Sequence, residues 1–185
     1  MVFSRFTELD TARLRLRKLR RTDAADFFRF AGSESVTRYM LWNTHASLSE
    51  SGASIAKTLA RYETGRCYRW GIALKQTDTL IGIIDLLSFD EGQNTCSFAY
   101  MLAESCWGLG YGTEALNAVL DFAFRQMDVS AVEADHFREN EASGAVMRKA
   151  GMEYVRTEPG KYEKNGCRHD APLYRIERQT WINRE

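Results

Sequence analysis

The sequence has few of the features that divide a chain into separate domains. Only two of its 185 residues are proline, and no Gly/Ser-rich linker or internal repeat interrupts it. Hydrophobic residues make up 44% and charged residues 27% of the chain, which is typical of a globular protein. We therefore expect one domain over residues 1–185, large enough to bury a core.

Long apolar runs and paired metal ligands are also absent. No segment approaches the roughly 20 apolar residues of a membrane span, and residues 1–10 lack the apolar stretch of a signal peptide. Four cysteines and three histidines show no CxxC or other paired spacing. They are Cys67, Cys96, Cys106, Cys167, His45, His136 and His169. This pattern predicts reduced thiols, a cytoplasmic location and no metal site.

An excess of either charge is missing too, because Lys+Arg and Asp+Glu both number 25. A balanced charge disfavours a strongly basic nucleic-acid binder. The one dense basic run, at 13–21, alternates with Leu14, Leu16 and Leu19. We interpret this run as the solvated face of a strand and its exit.

Hydrophobic periodicity predicts a block of strands followed by alternating strands and helices. The predicted strands are 13–18, 68–75, 80–89, 95–102, 131–137, 153–157 and 173–178, with 161–169 joining the last two. Predicted helices begin near Asp23, at Ser47 and near Tyr111, and a short one covers 142–150 before Gly151. This order predicts an α/β (α+β) domain with a mixed sheet.

The most informative segment is the glycine-rich run at 107–115, Trp-Gly-Leu-Gly-Tyr-Gly-Thr-Glu-Ala. A predicted strand ends before it, and a predicted helix begins within it. Glycine lets backbone N–H groups turn toward one point without Cβ clashes, and a helix N-terminus adds partial positive charge. The run therefore predicts a pyrophosphate cradle, with a glycine-rich turn that only caps the helix as the alternative.

Two other phosphate-binding loops do not fit this run. A Rossmann loop places its third glycine in the helix, after GxGxx, but Thr113, Glu114 and Ala115 stand there instead. A Walker loop ends in Gly-Lys-Ser/Thr, and the run contains no lysine.

With these residues in view, the chain resembles the GNAT acetyltransferases, and within them the Rim-type group that includes ribosomal-protein N-terminal acetyltransferases. The form Trp-Gly-x-Gly-Tyr-x-Thr-Glu-Ala at 107–115 is typical of that group. Residues 11–14 match its opening Thr-x-Arg-Leu, and residues 80–82 match its Leu-Ile-Gly. Residues 140–152 match Asn-x-x-Ser followed by Lys-x-Gly-Phe, with Met152 for Phe. The resemblance covers about 11–178, which is the expected core of the domain.

The resemblance implies a fold and a cofactor. The implied fold is a mixed, mostly antiparallel sheet of about seven strands, with a splayed central pair and helices on both faces. The implied cofactor is acetyl-CoA, whose peptide-like arm pairs with the strand before the loop. The implied cofactor-binding residues are Tyr100, Met101, Leu102, Trp107, Gly108, Leu109, Gly110, Tyr111, Gly112, Thr113, Asn140 and Lys149.

The resemblance also implies catalytic residues. Ser143 matches a serine that is proposed to protonate the leaving thiolate in the ribosomal-protein branch, and capping of the helix is its alternative role. That branch has a glutamate in the late hairpin, whose ungapped equivalent is Tyr162, with Glu163 adjacent. Glu163 is therefore the candidate base. The further candidates, on strands near the cleft, are Asp85, Asp135 and His136.

We expect an N-acetyltransferase that moves acetyl from acetyl-CoA to a primary amine by direct attack in a ternary complex. The expected acceptor is a protein N-terminal α-amine or a small-molecule amine. An α-amine titrates at about 8 and a lysine at about 10.4, so an α-amine needs less help from a base.

The acceptor pocket is expected between the early helices and the late hairpin. The residues expected to line it are Tyr39, Trp42 and Tyr162, with Met40, His45 and Glu163 beside them. We expect no nucleic-acid or membrane partner, and a homodimer is a further expectation. A non-catalytic acyl-CoA-binding sensor or docking module is the alternative function.

Overall fold

Antiparallel strands in chain order form the first half of the sheet. The computed structural model describes residues 6–65 and 67–184. Strands β1 (Leu9–Asp10), β2 (Leu14–Arg17), β3 (Tyr68–Leu74), β4 (Leu80–Asp90) and β5 (Thr95–Leu102) each pair antiparallel with the next. Short turns join β3 to β4 and β4 to β5, as the sequence predicts.

The second half of the sheet begins with its parallel pair. β6 (Ala131–Asp135) runs parallel to β5, and β8 (Cys167–Glu177) pairs antiparallel between β6 and the edge strand β7 (Glu153–Lys164). The strand order is β1-β2-β3-β4-β5-β6-β8-β7. The predicted mixed, mostly antiparallel sheet is confirmed, with eight strands rather than seven because β1 adds a two-residue strand.

Helices cover both faces of the sheet, which is also confirmed. One face carries α1 (Ala24–Ala31), α2 (Glu34–Thr37) and α3 (Leu48–Tyr62), and the other carries α4 (Tyr111–Arg125), α5 (Glu141–Lys149) and α6 (Arg178–Ile182). Strand alternation divides the core between the faces. Ile84 of β4 packs in the cluster under α4, and its neighbour Ile83 packs under α1 and α3.

Helix ends follow the local chemistry of the sequence. Ser47 caps α3, because its side chain accepts a hydrogen bond from the Glu50 N–H. Gly151, with φ of 76°, ends α5 in the left-handed conformation that glycine adopts without strain. Along residues 6–65 and 67–184, the helices are too short or too polar to cross a membrane.

The late hairpin is longer than predicted. Residues 161–169, expected as a connection, instead extend β7 to Lys164 and begin β8 at Cys167. The turn is Asn165-Gly166, with φ of 51° and 76°, and this left-handed pair suits a tight hairpin. At its other end β8 stops at Glu177, because Arg178 begins α6 rather than ending the strand.

Arg17 departs from the predicted solvated basic face. Its side chain is 1% exposed, and its guanidinium donates to both carboxylate oxygens of Asp23 at 2.9 Å and to Asp78 at 3.0 Å. The pair joins β2 to the start of α1 and to the β3–β4 turn. The solvated interpretation is therefore wrong at Arg17, although Arg15 on the same strand is exposed.

Candidate active site

Strands β5 and β6 separate in the middle of the sheet. They pair only from Thr95 with Ala131 to Ser97 with Glu133. Beyond these pairs β5 continues to Leu102 along β4, and β6 continues along β8. We call the space between residues 98–102 and 134–135 the strand gap. It confirms the splayed central pair.

The direction of the main-chain groups along β5 identifies which residues face the strand gap. The Ala103 N–H donates to the Ile81 carbonyl at 2.7 Å, toward β4. Because these groups alternate along a strand, those of Leu102 and Tyr100 point away from β4, into the gap. This corrects the expectation for Met101, whose main-chain groups point toward β4 and whose side chain packs under α1 and α3.

The glycine-rich run forms a loop that leads directly into α4. Gly108 and Gly110 have φ of 73° and 83°, and Gly110 stands immediately before the helix. The first helical hydrogen bond runs from the Glu114 N–H to the Gly110 carbonyl. No acceptor among the described residues bonds the N–H groups of 111–113, which lie at the positive end of the helix dipole. We call this loop and helix start the cradle.

The cradle lies against the strand gap. A Cβ added to Gly112 would lie 3.4 Å from the side chains of both Tyr100 and Leu102, and 3.5 Å from Val146 of α5. The indole of Trp107 donates to the Leu102 carbonyl at 2.9 Å. The free N–H groups and the end of β5 are therefore neighbours, which fits a ligand with a peptide-like arm and a pyrophosphate.

A clamp from the start of the chain holds the cradle. Arg13 donates from Nε to Glu114 at 2.7 Å and from Nη1 to the Leu109 carbonyl at 2.9 Å. Its guanidinium also lies over the ring of Tyr111, at 4.3 Å from the centroid. Thr11 donates to the second oxygen of Glu114 at 2.5 Å. Two motifs that are distant in sequence, at 11–14 and 107–115, thus form one structural unit.

The start of α5 brings together two predicted site residues. Asn140 caps the helix, because its side-chain oxygen accepts from the Ser143 N–H at 3.4 Å. Ser143 is therefore not the cap, and its side chain is buried. Burial raises the pKa of the Tyr100 phenol, and a hydrogen bond with the Ser143 side chain lowers it in part. Lys149 lies exposed in the last turn of α5.

The expected base, Glu163, lies apart from the strand gap. In β7 it is exposed and stands opposite Arg168. Its neighbours Tyr162 and Lys164 instead contact β6 and the 37–40 segment. Strand alternation places Glu163 on the other face of the hairpin, which argues against its role as base.

The three alternative bases have different surroundings. Both carboxylate oxygens of Asp85 accept from Arg69, each at 2.7 Å. His136 stacks on Tyr174 and lies against Gly144 of α5, away from the α1 face. Asp135 accepts hydrogen bonds from the Tyr162 hydroxyl and from Lys161. Of the three, only Asp135 lies beyond the last β5–β6 pair on the α1 and α2 side.

An aromatic cluster forms around Phe137, which the sequence interpretation did not single out. Its ring lies 4.4 Å from that of Tyr162, 5.7 Å from Tyr39 and 5.3 Å from His169. Two predicted acceptor residues, Tyr39 and Tyr162, are therefore joined through a third ring. The only sequence signal for Phe137 was its place at the end of a predicted strand.

A cavity of about 400 Å³ opens beside the strand gap on the α1 and α3 face. Ile83 and Met101 form its floor, and Phe27, Trp42 and His45 form an aromatic wall. We call it the acceptor-side cavity. It includes Trp42 from the predicted acceptor residues, whereas Tyr39 and Tyr162 belong to the aromatic cluster.

One lysine joins the late hairpin to the segment that carries Trp42. Lys164 donates from Nζ to the Thr37 carbonyl at 2.9 Å and to the Met40 carbonyl. Burial lowers the pKa of this ammonium. The hairpin is therefore bonded to the chain two residues before Trp42, which belongs to the cavity wall.

Comparison with known proteins places this geometry in a family. A family model described as "Acetyltransferase (GNAT) domain" matches residues 13–153. The Bacillus subtilis (strain 168) protein named "Uncharacterized N-acetyltransferase YoaA" is 28% identical over 171 residues, which cover 92% of this chain and 97% of that protein.

Solved structures share the fold. Ribosomal alpha-N-protein acetyltransferase RimL, in complex with coenzyme A, has a TM-score of 0.82 at 17% identity, covering 94% of this chain and 99% of that one. Spermidine N-acetyltransferase from Vibrio cholerae, in complex with CoA and spermine, has a TM-score of 0.79 at 18% identity, covering 94% and 100%. These two proteins act on different amines.

Proposed function

The chain belongs to the GNAT family of acetyl-CoA-dependent N-acetyltransferases, and we propose that its acceptor is an α-amine or a similar small primary amine that attacks directly in a ternary complex. The observation that carries the proposal is the adjacency of the strand gap and the cradle. One ligand with a thioester at one end and a pyrophosphate in its middle spans both.

The residues of the cradle fit the cofactor. The free N–H groups of 111–113 and the left-handed Gly108 and Gly110 suit a pyrophosphate. Main-chain groups of Tyr100 and Leu102 suit the peptide-like arm, and the free amide nitrogen of Asn140 is a further donor for it. Lys149, exposed in the last turn of α5, is our candidate for a phosphate contact.

Bound acetyl-CoA supplies an activated acyl group. The Leu102 N–H points into the strand gap, where it polarises the thioester carbonyl. As the amine nitrogen bonds to the carbonyl carbon, the carbon–sulfur bond breaks. Ser143 Oγ donates its proton to the departing sulfur, and solvent then replaces that proton. Burial of Ser143 beside Tyr100 supports this role.

Asp135 is our candidate acceptor for the proton that the amine loses. The nitrogen becomes acidic as its bond to carbon forms, so a carboxylate is sufficient to take the proton. Asp135 lies beyond the last β5–β6 pair, on the α1 and α2 side. The Tyr162 hydroxyl holds it from the hairpin, at the position where the related branch has its glutamate.

An amine panel with acetyl-CoA, in which release of free thiol is measured, tests the proposed acceptor class. Amino-acid amides and short peptides with a free α-amine should release thiol at rates above the acceptor-free background. Peptides whose α-amine is acetylated and whose only free amine is a lysine ε-amine should not. If no amine stimulates release although acetyl-CoA binds, the direct-attack proposal is wrong and a sensor role takes its place.

Three expectations from the sequence remain proposals. They are a cytoplasmic location, a homodimer, and a domain that spans residues 1–185. The free thiols of Cys67, Cys96, Cys106 and Cys167 support the first.

A further inference from the structure

The acceptor-side cavity has an apolar floor and an aromatic wall, and its remaining lining is polar or charged. The Trp42 and His45 rings lie 5.1 Å apart, and the Phe27 and His45 rings lie 5.9 Å apart, so the wall is continuous. Ile83 and Met101 are 7% and 4% exposed and close the floor. A volume of about 400 Å³ is within the range of sites for small organic molecules.

The charges around the cavity cancel. Arg69 is neutralised by both oxygens of Asp85. On α3, Glu50 and Lys57 contribute one charge of each sign to the rim. Burial lowers the pKa of His45, so its ring carries no charge at neutral pH, although Glu50 opposes this shift in part.

This balance separates two kinds of acceptor. A polyamine carries several positive charges, and it needs several carboxylates that are free to compensate them. The rim offers one, Glu50, and that carboxylate also accepts the Ala46 N–H at 2.8 Å. An amine with one charge and an apolar body makes no such demand, and it buries its body against the aromatic wall.

We propose that the acceptor is a primary amine whose α-carbon bears an apolar side chain of about leucine or phenylalanine size, and that this side chain fills the acceptor-side cavity. The inference rests on the proposed function, because the amine must reach the strand gap from the α1 face. Met101 links the two sites, since its side chain lines the cavity while its neighbour Leu102 faces the gap.

Leucinamide, glycinamide and spermidine test the side-chain preference with the full chain and acetyl-CoA. Leucinamide differs from glycinamide only in its side chain. We expect kcat/KM for leucinamide to exceed that for glycinamide by about 10-fold or more, and to exceed that for spermidine by a similar factor.

A pair of matched variants places this preference in the cavity. Ala53 and Ala60 are both exposed on α3, two turns apart, but only Ala53 lines the cavity. Ala53→Trp places a large ring at the mouth of the cavity and should reduce the leucinamide-to-glycinamide ratio to about 3 or less. Ala60→Trp should leave the ratio unchanged. Trp42→Ala, with a melting curve as a check of folding, should reduce the ratio in the same way.

Two results overturn the inference. One is spermidine or glycinamide turnover as fast as that of leucinamide, and the other is a ratio that Ala53→Trp does not change. Either result leaves the direct-attack proposal standing, because thiol is still released to an amine. Failure of every amine to release thiol would instead contradict the proposed function itself.

Discussion

Arg13 and Glu114, which lie 101 residues apart in the chain, are joined by a 2.7 Å bond at the first turn of α4. The Glu114 carboxylate lies beside our proposed pyrophosphate site, where an unpaired negative charge would repel the ligand. Burial raises the pKa of Glu114, but hydrogen bonds from Thr11 and Arg13 together lower it by more. The net pKa is therefore below its usual value, and the carboxylate stays ionised. Arg13 therefore neutralises the cradle as well as holding it.

Loss of Arg13 alone should weaken the binding of acetyl-CoA more than loss of the Arg13–Glu114 ion pair as a whole. We expect Arg13→Met to raise the Kd of acetyl-CoA about 10-fold, because Glu114 is left unpaired beside the pyrophosphate. Adding Glu114→Gln should recover part of this loss. Calorimetry of the single and double variants measures both effects, with Arg15→Met, an exposed position in β2, as control. A double variant no better than Arg13→Met would show that Arg13 acts only by positioning.

Gly110→Asp should raise the Kd of acetyl-CoA about 100-fold or more. The change adds a Cβ at φ of 83° and a negative charge at the start of α4. Gly166→Asp is the control, because it has a similar φ of 76° with no atom within 4 Å of the added Cβ. If the Gly110→Asp protein folds and binds acetyl-CoA with unchanged affinity, the pyrophosphate does not bind in the cradle.

Ser143→Ala should lower kcat by roughly 10- to 10⁴-fold and leave the Kd of acetyl-CoA nearly unchanged. The reason is that the departing sulfur loses its proton donor while Asn140 still caps α5. Ser130→Ala, an exposed serine before β6, is the control. A wild-type kcat under conditions where chemistry limits the rate would exclude proton donation by Ser143.

Asp135→Asn should lower kcat about 10²-fold or more, because the amide cannot accept the amine proton. Tyr162→Phe should cause a smaller loss, since it removes one of the two groups that hold Asp135 and leaves Lys161 in place. Glu163→Gln is the opposing variant. If it lowers kcat while Asp135→Asn does not, the base is Glu163 despite its exposure.

His45 should make the protein less stable in mild acid. Its folded-state pKa lies below 6.5 because burial penalises the charged ring. The unfolded chain therefore binds more protons as pH falls through 6.5, and the free energy of unfolding falls until the folded ring also titrates. Denaturant unfolding at pH 7.5 and at pH 5 should show a smaller acid loss for His45→Gln than for wild type. Equal losses would contradict this origin.

Local signals in the sequence predicted much of this fold. The glycines at 108, 110 and 112 predicted the loop, and Ser47 and Gly151 predicted helix ends, because each acts on backbone within a few residues. Asn165-Gly166 is also a local hairpin signal. Because the predicted strands did not take it into account, they were shorter than β7 and β8. The Asn-Gly pair by itself indicates a hairpin centred on residues 165 and 166.

Contacts between residues that are distant in the chain could not be predicted from the sequence. Arg17 reads as one of several exposed basic residues, and only its partners Asp23 and Asp78 show that it is buried. In the sequence, Phe137 looks like the end of a strand. Only contacts with the hairpin and with Tyr39, which follows α2, make it the centre of an aromatic cluster. The exposure of Glu163 follows from the register of β7 against β8, in which it stands opposite Arg168. An ungapped comparison with the related branch contains no information about that register.

The hydrogen bonds from Lys164 to the Thr37 and Met40 carbonyls join the hairpin tip to the segment that carries Trp42, and no cradle residue takes part in them. If Trp42 contacts the acceptor as we propose, the hairpin tip influences from a distance which amine is accepted. We expect substitutions near 164 to shift the segment that carries Trp42, whereas the loop that we propose for the coenzyme is braced separately by Arg13. The range of amines that such a protein accepts can therefore diverge through changes at the hairpin tip, while the binding of the acyl donor stays the same.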